Sequence, residues 1–205
     1  MSSRVKFLVG LVAFTIILRL LPYVLTAYNM TVDPTVIFYP WNFVPLMGIC
    51  LYSGAYVEDR RWSIVVPVLT LLISDLGIWA LTGQFSWAFP SDRWSVYLCY
   101  LIAVSMGRGL NSRPWPARAF YAFGLGMLAE LNFFLVTNFA YFLTQTVFPQ
   151  SLDGLISCYV VAIPFAGKSL ASTAFFSVLL FSPLAIRAAG GSSSQQPAMQ
   201  SALSR

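Results

Sequence analysis

Six long apolar runs leave this chain few ways to fold: about Val5 to Leu25, Phe43 to Val57, Ser63 to Leu81, Trp94 to Gly107, Ala119 to Leu143 and Ser169 to Ile186. A helix crossing the ~30 Å hydrocarbon layer of a bilayer needs about 20 apolar residues, fewer where polar ends reach back to the interface. In lipid every backbone N–H and C=O must be satisfied internally, so the crossing elements are helices or a closed barrel. Barrel strands alternate in segments of about ten residues; these runs are longer and apolar throughout. Composition agrees: 58% of residues are hydrophobic and 9% charged, against about 25% charged in an average soluble domain. The expected fold is all-α, a polytopic six-helix transmembrane bundle over residues 1–187.

Two segments fall outside the six spans. Leu155 to Phe165 is apolar but ends among Pro164 and Gly167, which predicts a re-entrant or interfacial helix. Residues 188–205 are mainly Ser, Gln, Gly and Ala and lack the apolar content to fold, predicting a disordered cytoplasmic tail. The start of the chain has the outline of a signal peptide, with Arg4, Lys6 and an apolar run after them. Arg19 interrupts that run and no small-x-small cleavage site follows, so the segment is expected to stay as the first span.

Lys and Arg in short loops are retained on the cytoplasmic side. Of the 12 basic residues, nine (Arg4, Lys6, Arg60, Arg61, Arg108, Arg113, Arg118, Arg187, Arg205) fall on one side of the six-span arrangement. Only Arg93 and Lys168 fall on the other, and Arg19 lies within a span. The asymmetry predicts both chain ends in the cytoplasm and a multi-pass protein of the inner (plasma) membrane. It also accounts for the net charge of +5 without a nucleic-acid partner.

The absences narrow the chemistry. There is no histidine, which excludes His-based general bases, haem ligation and His-containing metal sites. Cys50, Cys99 and Cys158 are scattered without a C-x-x-C pair and read as small apolar packing residues. No phosphate-binding loop, G-x-G-x-x-G or G-x-S-x-G occurs. The pairs Gly107/Gly109 and Gly124/Gly126 read as helix-end flexibility and close helix packing. No catalytic residues, metal or cofactor are assigned, and the chain is not expected to be an enzyme. A lipid-directed enzyme using Asp75 and Glu130 is a minor alternative.

Ionisable groups inside spans are costly and mark sites or structural pairs. Three stand out: Arg19, Asp75 and Glu130. Arg19 and Asp75 lie about two-thirds of the way outward, Glu130 near the middle, so Asp75 is the expected partner of Arg19. On the fifth span Glu130, Phe134, Thr137, Asn138 and Tyr141 share one helical face. Asp75 and Trp79 share a face on the third, and Thr15, Arg19, Tyr23 and Thr26 on the first. These stripes are either a charge-neutralising pair within helix packing or the walls of a solute pocket, where a few polar groups sit among aromatics. The aromatic, Asn-rich loop Thr26–Asn42 suits a lid over such a pocket. The candidate binding residues are Asn42, Asp75, Trp79, Asn138, Tyr141 and Tyr159, with Arg19 and Glu130 as interior charges and Lys168 at the mouth.

The stretches Trp41-Asn42-Phe43-Val44-Pro45-Leu46-Met47-Gly48, Ser74-Asp75-Leu76-Gly77, Phe133-Phe134-Leu135-Val136-Thr137-Asn138-Phe139 and Gly154 through Phe165 resemble those of a family of uncharacterised bacterial six-helix membrane proteins. That family is in turn similar to the substrate-binding S components of energy-coupling factor transporters. The resemblance, over roughly Arg19 to Pro183, implies a bundle that binds a vitamin-like or micronutrient solute from outside and works with a coupling membrane protein and ATPases. One departure is on the first helix: Gly10 and Ala13 stand where S components that share a coupling module tend to carry Ala-x-x-x-Ala. The other functional class left open is a structural or assembly subunit of a larger membrane complex.

The basic asymmetry carries a direct test. Reporter fusions after Arg61, Arg113 and Arg187 are expected to report cytoplasm, and fusions near Asp33, Asp92 and Asp153 the exterior. An external signal at Arg113 would reverse the orientation.

Overall fold

The computed structural model describes residues 3–28 and 43–188. Asn42, nearly all of the Thr26–Asn42 loop and the tail from residue 189 lie outside the described residues. The described chain is helical: α1 (Ser3–Ala27), α2 (Leu46–Tyr56), α3 (Arg60–Thr82), the single turn α4 (Phe85–Ala88), α5 (Arg93–Gly107), α6 (Ala117–Thr144), α7 (Leu152–Leu180) and the short α8 (Pro183–Ala188), with a 3-10 turn at Leu110–Ser112. Four of them, α1, α3, α6 and α7, are long and apolar enough to cross a membrane.

Local chemistry sets the ends. Asp59 caps α3, its carboxylate accepting from the Arg61 amide at 2.7 Å, and Gly83 closes the helix in the left-handed region at φ 68°, where a glycine carries no Cβ penalty. Ser151 caps α7 by accepting from the Gly154 amide at 3.2 Å, and Asp153 in the first turn complements the positive end of the helix dipole.

α7 corrects the sequence-based expectation. The segment 155–165 is not a separate re-entrant or interfacial helix, and the last long helix does not begin at Ser169. One continuous 29-residue helix runs from Leu152 through Pro164 to Leu180. Proline removes one backbone hydrogen bond from a helix, whereas breaking the helix in an apolar medium would strand several backbone groups at once. The continuous helix leaves fewer groups unsatisfied.

α2 is the hub. It is 11 residues long, and Leu46 through Ser53 are all buried, the pattern expected of a helix that is apolar all round and enclosed by its neighbours. It packs against α3, α5, α6 and α7. Its tightest neighbour is α5, where each helix presents a glycine to the other's backbone. A Cβ on Gly54 would overlap the Val104 carbonyl, and a Cβ on Gly107 would overlap the Leu51 carbonyl. Residues 51 to 54 thus pair with 107 and 104, backbone against backbone, a close approach that only small residues allow.

Depth follows from two contacts. Arg118 Nη1, at the start of α6, donates to the Tyr56 hydroxyl at the end of α2 at 3.0 Å. Eleven residues rise only about 16 Å from that level, and the first turn of α2 (Leu46, Met47) borders the same space as Glu130 near the midpoint of α6. Below that level the core is filled by Leu51, Tyr52, Leu110, Phe176, Leu180 and Phe181. At the upper end of α2, Met47 joins Ala129 and Phe133 of α6 in a second apolar cluster.

Because the obstacle at Gly54 and Gly107 is backbone, Gly54→Ala and Gly107→Ala are each expected to destabilise the bundle by about 1–3 kcal/mol or more, the usual cost of overpacking. Gly10→Ala and Gly124→Ala, where an added methyl would meet nothing within 4 Å, are expected to be neutral or slightly stabilising. Thermal melting of the detergent-purified protein measures all four; equal losses at the four positions would remove the close crossing.

Candidate functional site

Polar side chains gather at two places. The first joins α1, α3 and α5. Asp75, fully buried, accepts from Arg19 Nη2 at 2.8 Å and from Arg93 Nη2 at 2.6 Å, both on the same carboxylate oxygen. Its other oxygen accepts from the Tyr97 hydroxyl at 3.2 Å. Arg93 is steadied in turn by donating from Nε to the Ala88 carbonyl at the end of α4, 2.9 Å away. Two guanidiniums on one carboxylate leave a formal surplus of one positive charge, and the carboxylate is closed off on every side.

The Arg19–Asp75 pairing is the one that their matching depths predict. Arg93 and Tyr97 are the members that sequence reasoning missed. Read as a loop charge after the third span, Arg93 is the first residue of α5 and reaches back to α3. The available signal was its spacing: Arg93 and Tyr97 are four apart, on one helical face.

The second place is a cavity of about 580 Å³ between α6, α7 and the first turn of α2. Glu130 lies in its wall, 5% exposed. Thr173 Oγ1 donates to Glu130 Oε1 at 2.6 Å and Ser169 Oγ to Oε2 at 2.9 Å. Both donors are on α7, four residues apart, so the helix presents them on one face. Among the described residues no Lys or Arg forms an ion pair with Glu130; both ion pairs found there belong to Asp75. Around the carboxylate the wall is mainly apolar and aromatic, with Tyr100, Phe133, Phe134 and Phe165, while Thr137 and Asn138 add polarity farther along α6.

Leu46 and Met47 in the first turn of α2, with Val44 just before it, close one end of the cavity beside Glu130. Beyond Glu130, Phe134 and Asn138 of α6 face the opening together with Ala162 and Ala166 of α7. The carbonyl of Val44, just before α2, is held by Ser172 Oγ at 2.9 Å, which pins the entry to α2 against α7.

The sequence-nominated residues separate on this map. Glu130 and Asn138 line the cavity. Asn138 Nδ2 donates to its own helix at the Phe134 carbonyl, 2.7 Å, which leaves its amide oxygen without an acceptor role in that bond. Tyr159 supports the wall from behind, its hydroxyl donating to the Leu135 carbonyl at 2.7 Å and its ring 5.6 Å from that of Phe134. Tyr141 and Lys168 are half-buried and do not line the cavity. Asp75 and Arg19 belong to the other cluster, and Trp79 is 44% exposed, edge-on to Phe85 at 5.5 Å. Ser169, Thr173 and Tyr100 were not nominated; the Ser-x-x-x-Thr spacing at 169 and 173 was the legible signal.

The shared carboxylate predicts unequal losses. Asp75→Leu, which leaves two guanidiniums without a counter-ion, is expected to cost about 3–5 kcal/mol. Arg19→Leu and Arg93→Leu should each cost about 1.5–3 kcal/mol, the worth of a charged hydrogen bond, because the remaining arginine still neutralises Asp75. Removing both should cost more than the sum, a coupling that a double-mutant cycle in thermal melts reads directly. Additive losses at 19 and 93 would show that they do not share the charge.

No curated protein and no solved structure matches the chain significantly. The family model that does match is that of a family of unknown function, DUF6580, and it covers residues 1–194. By that match, which takes in both polar clusters, the chain belongs to the DUF6580 family.

Proposed function

We propose that the protein is a membrane-embedded binding protein for a small solute, taken up into the cavity beside Glu130. The observation that carries this reading is the cavity itself: about 580 Å³, within the roughly 300–1,000 Å³ range of small-molecule sites, with the Glu130 carboxyl, the hydroxyls of Thr137 and Ser169 and the Asn138 amide among apolar and aromatic walls. A space left only by poor packing would be lined by apolar groups alone and cost stability in proportion to its volume.

In this reading the six helices α1, α2, α3, α5, α6 and α7 all traverse the inner membrane, α2 and α5 incompletely, with both chain ends in the cytoplasm. The arginines between α2 and α3 and between α5 and α6 (Arg60, Arg61, Arg108, Arg113) then lie on the cytoplasmic side. The cavity occupies the outer half, where a solute arriving from outside would meet it. The arrangement suits an S-component-like unit of an uptake system, in which a coupling membrane protein and ATPases supply the energy that this chain, without a nucleotide-binding motif, does not.

The test is occupancy. Protein extracted from its own host's membranes and analysed by native mass spectrometry is expected to retain a small molecule. Ala166→Phe, which puts a ring into the cavity from α7, should reduce that occupancy at least about tenfold, a loss of about 1.4 kcal/mol or more in binding. Equal occupancy in the variant, or no bound molecule in the wild type, would remove the cavity as a binding site.

A further inference from the structure

We infer that the solute held beside Glu130 carries a positively charged nitrogen on an apolar, ring-sized body. The inference rests on the solute-binding reading above and names the chemical class of that solute. Its basis is a comparison between two carboxylates of the same bundle. Asp75 is fully buried and is neutralised by Arg19 and Arg93 from within the chain. Glu130 is buried nearly as deeply, at 5% exposure, yet among the described residues it meets only the hydroxyls of Ser169 and Thr173. Burying a charge without a counter-charge is strongly unfavourable. The chain solves that problem at one site with its own cations and at the other leaves it to whatever enters.

Each oxygen of Glu130 meets one hydroxyl, Thr173 Oγ1 at 2.6 Å and Ser169 Oγ at 2.9 Å, and a cation entering beside them would hold the group as a carboxylate. An ionised carboxylate offers about four lone-pair directions; two are used, and the cavity beside them is open. An ammonium group brings several donors and the missing charge at once. Lys168, adjacent in sequence to Ser169, does not line the cavity and forms no ion pair with Glu130.

The walls select the rest of the molecule. Rings of Tyr100, Phe133, Phe134 and Phe165 border the cavity, and aromatic faces attract a desolvated cation while accepting an apolar body. An anionic group placed beside Glu130 would meet like charge in a poorly solvated space, and a neutral alcohol would supply a hydrogen bond but no charge.

Three indoles of nearly equal shape separate these cases: tryptamine, tryptophol and indole-3-propionate, titrated against the purified protein in lipid nanodiscs by native mass spectrometry. Tryptamine is expected to bind at least about tenfold more tightly than tryptophol, the difference a charged hydrogen bond makes, with indole-3-propionate weakest. In Glu130→Gln the preference for the amine over the alcohol should vanish. Since the wild-type comparison needs no variant, a folding defect in Glu130→Gln cannot mask the outcome. Equal affinities for tryptamine and tryptophol in the wild type, or a preference that survives Glu130→Gln, would overturn the assignment. If none of the three binds, the solute retained from host membranes decides: a neutral or anionic molecule displaced by Ala166→Phe overturns the cation and leaves the cavity reading standing. The absence of any retained molecule removes both.

Discussion

The contact between α2 and α5 is backbone on backbone, and the interior is arranged around it. Gly54 and Gly107 let two helices approach until each one's missing side chain is occupied by the other's carbonyl. In an apolar medium there is little hydrophobic drive to bring helices together, so close van der Waals fit between small residues carries much of the association. This contact fixes a short helix in the middle of the bundle. Leu46 and Met47, in the first turn of that helix, border the cavity at Glu130.

Two carboxylates then receive opposite treatment. At Asp75, α1, α3 and α5 converge with two guanidiniums and a phenol hydroxyl, and the interaction is complete within the chain. It ties the ends of three helices at a level beyond the reach of α2. At Glu130, α7 supplies hydroxyls alone, and the surroundings are rings and aliphatic groups. The first arrangement resembles a clasp, the second a receptacle. In both, low solvent access makes the charge worth more than it would be in water.

Much of the fold was legible because its physics is one-dimensional. Runs of apolar residues set the extents of α1, α3, α5 and α6 to within three residues of their observed ends, and matching depth alone paired Arg19 with Asp75. α7 was misread because Pro164 and Gly167 look like punctuation in water, where a broken helix can be solvated; the start signal, Ser151 with Asp153 behind it, was present in the sequence and went unused. The half-length of α2 was visible as a short run, but its enclosure on all sides was not, since apolar residues all round a helix read equally well as lipid-facing. Of the residues that line the cavity, Glu130 and Asn138 had been nominated by helical face. Ser169, Thr173 and Tyr100 come from other helices, and which faces meet is set by crossings such as Gly54 on Val104 that sequence spacing does not encode. Asn42 lies outside the described residues.

The glycine crossing also decides which sequence changes can be repaired. At Gly77 the atoms in the way of a side chain belong to Leu20, so a bulkier residue at 77 has a natural suppressor in a smaller residue at 20, and the pair is free to drift together. At Gly54 and Gly107 the obstructing atoms are carbonyls of Val104 and Leu51, which every amino acid possesses. No substitution at 104 or 51 removes them. A second-site suppressor for either glycine must therefore move a whole helix, and with it the first turn of α2 at the edge of the cavity, so the two positions are tied to the shape of the cavity although neither touches it.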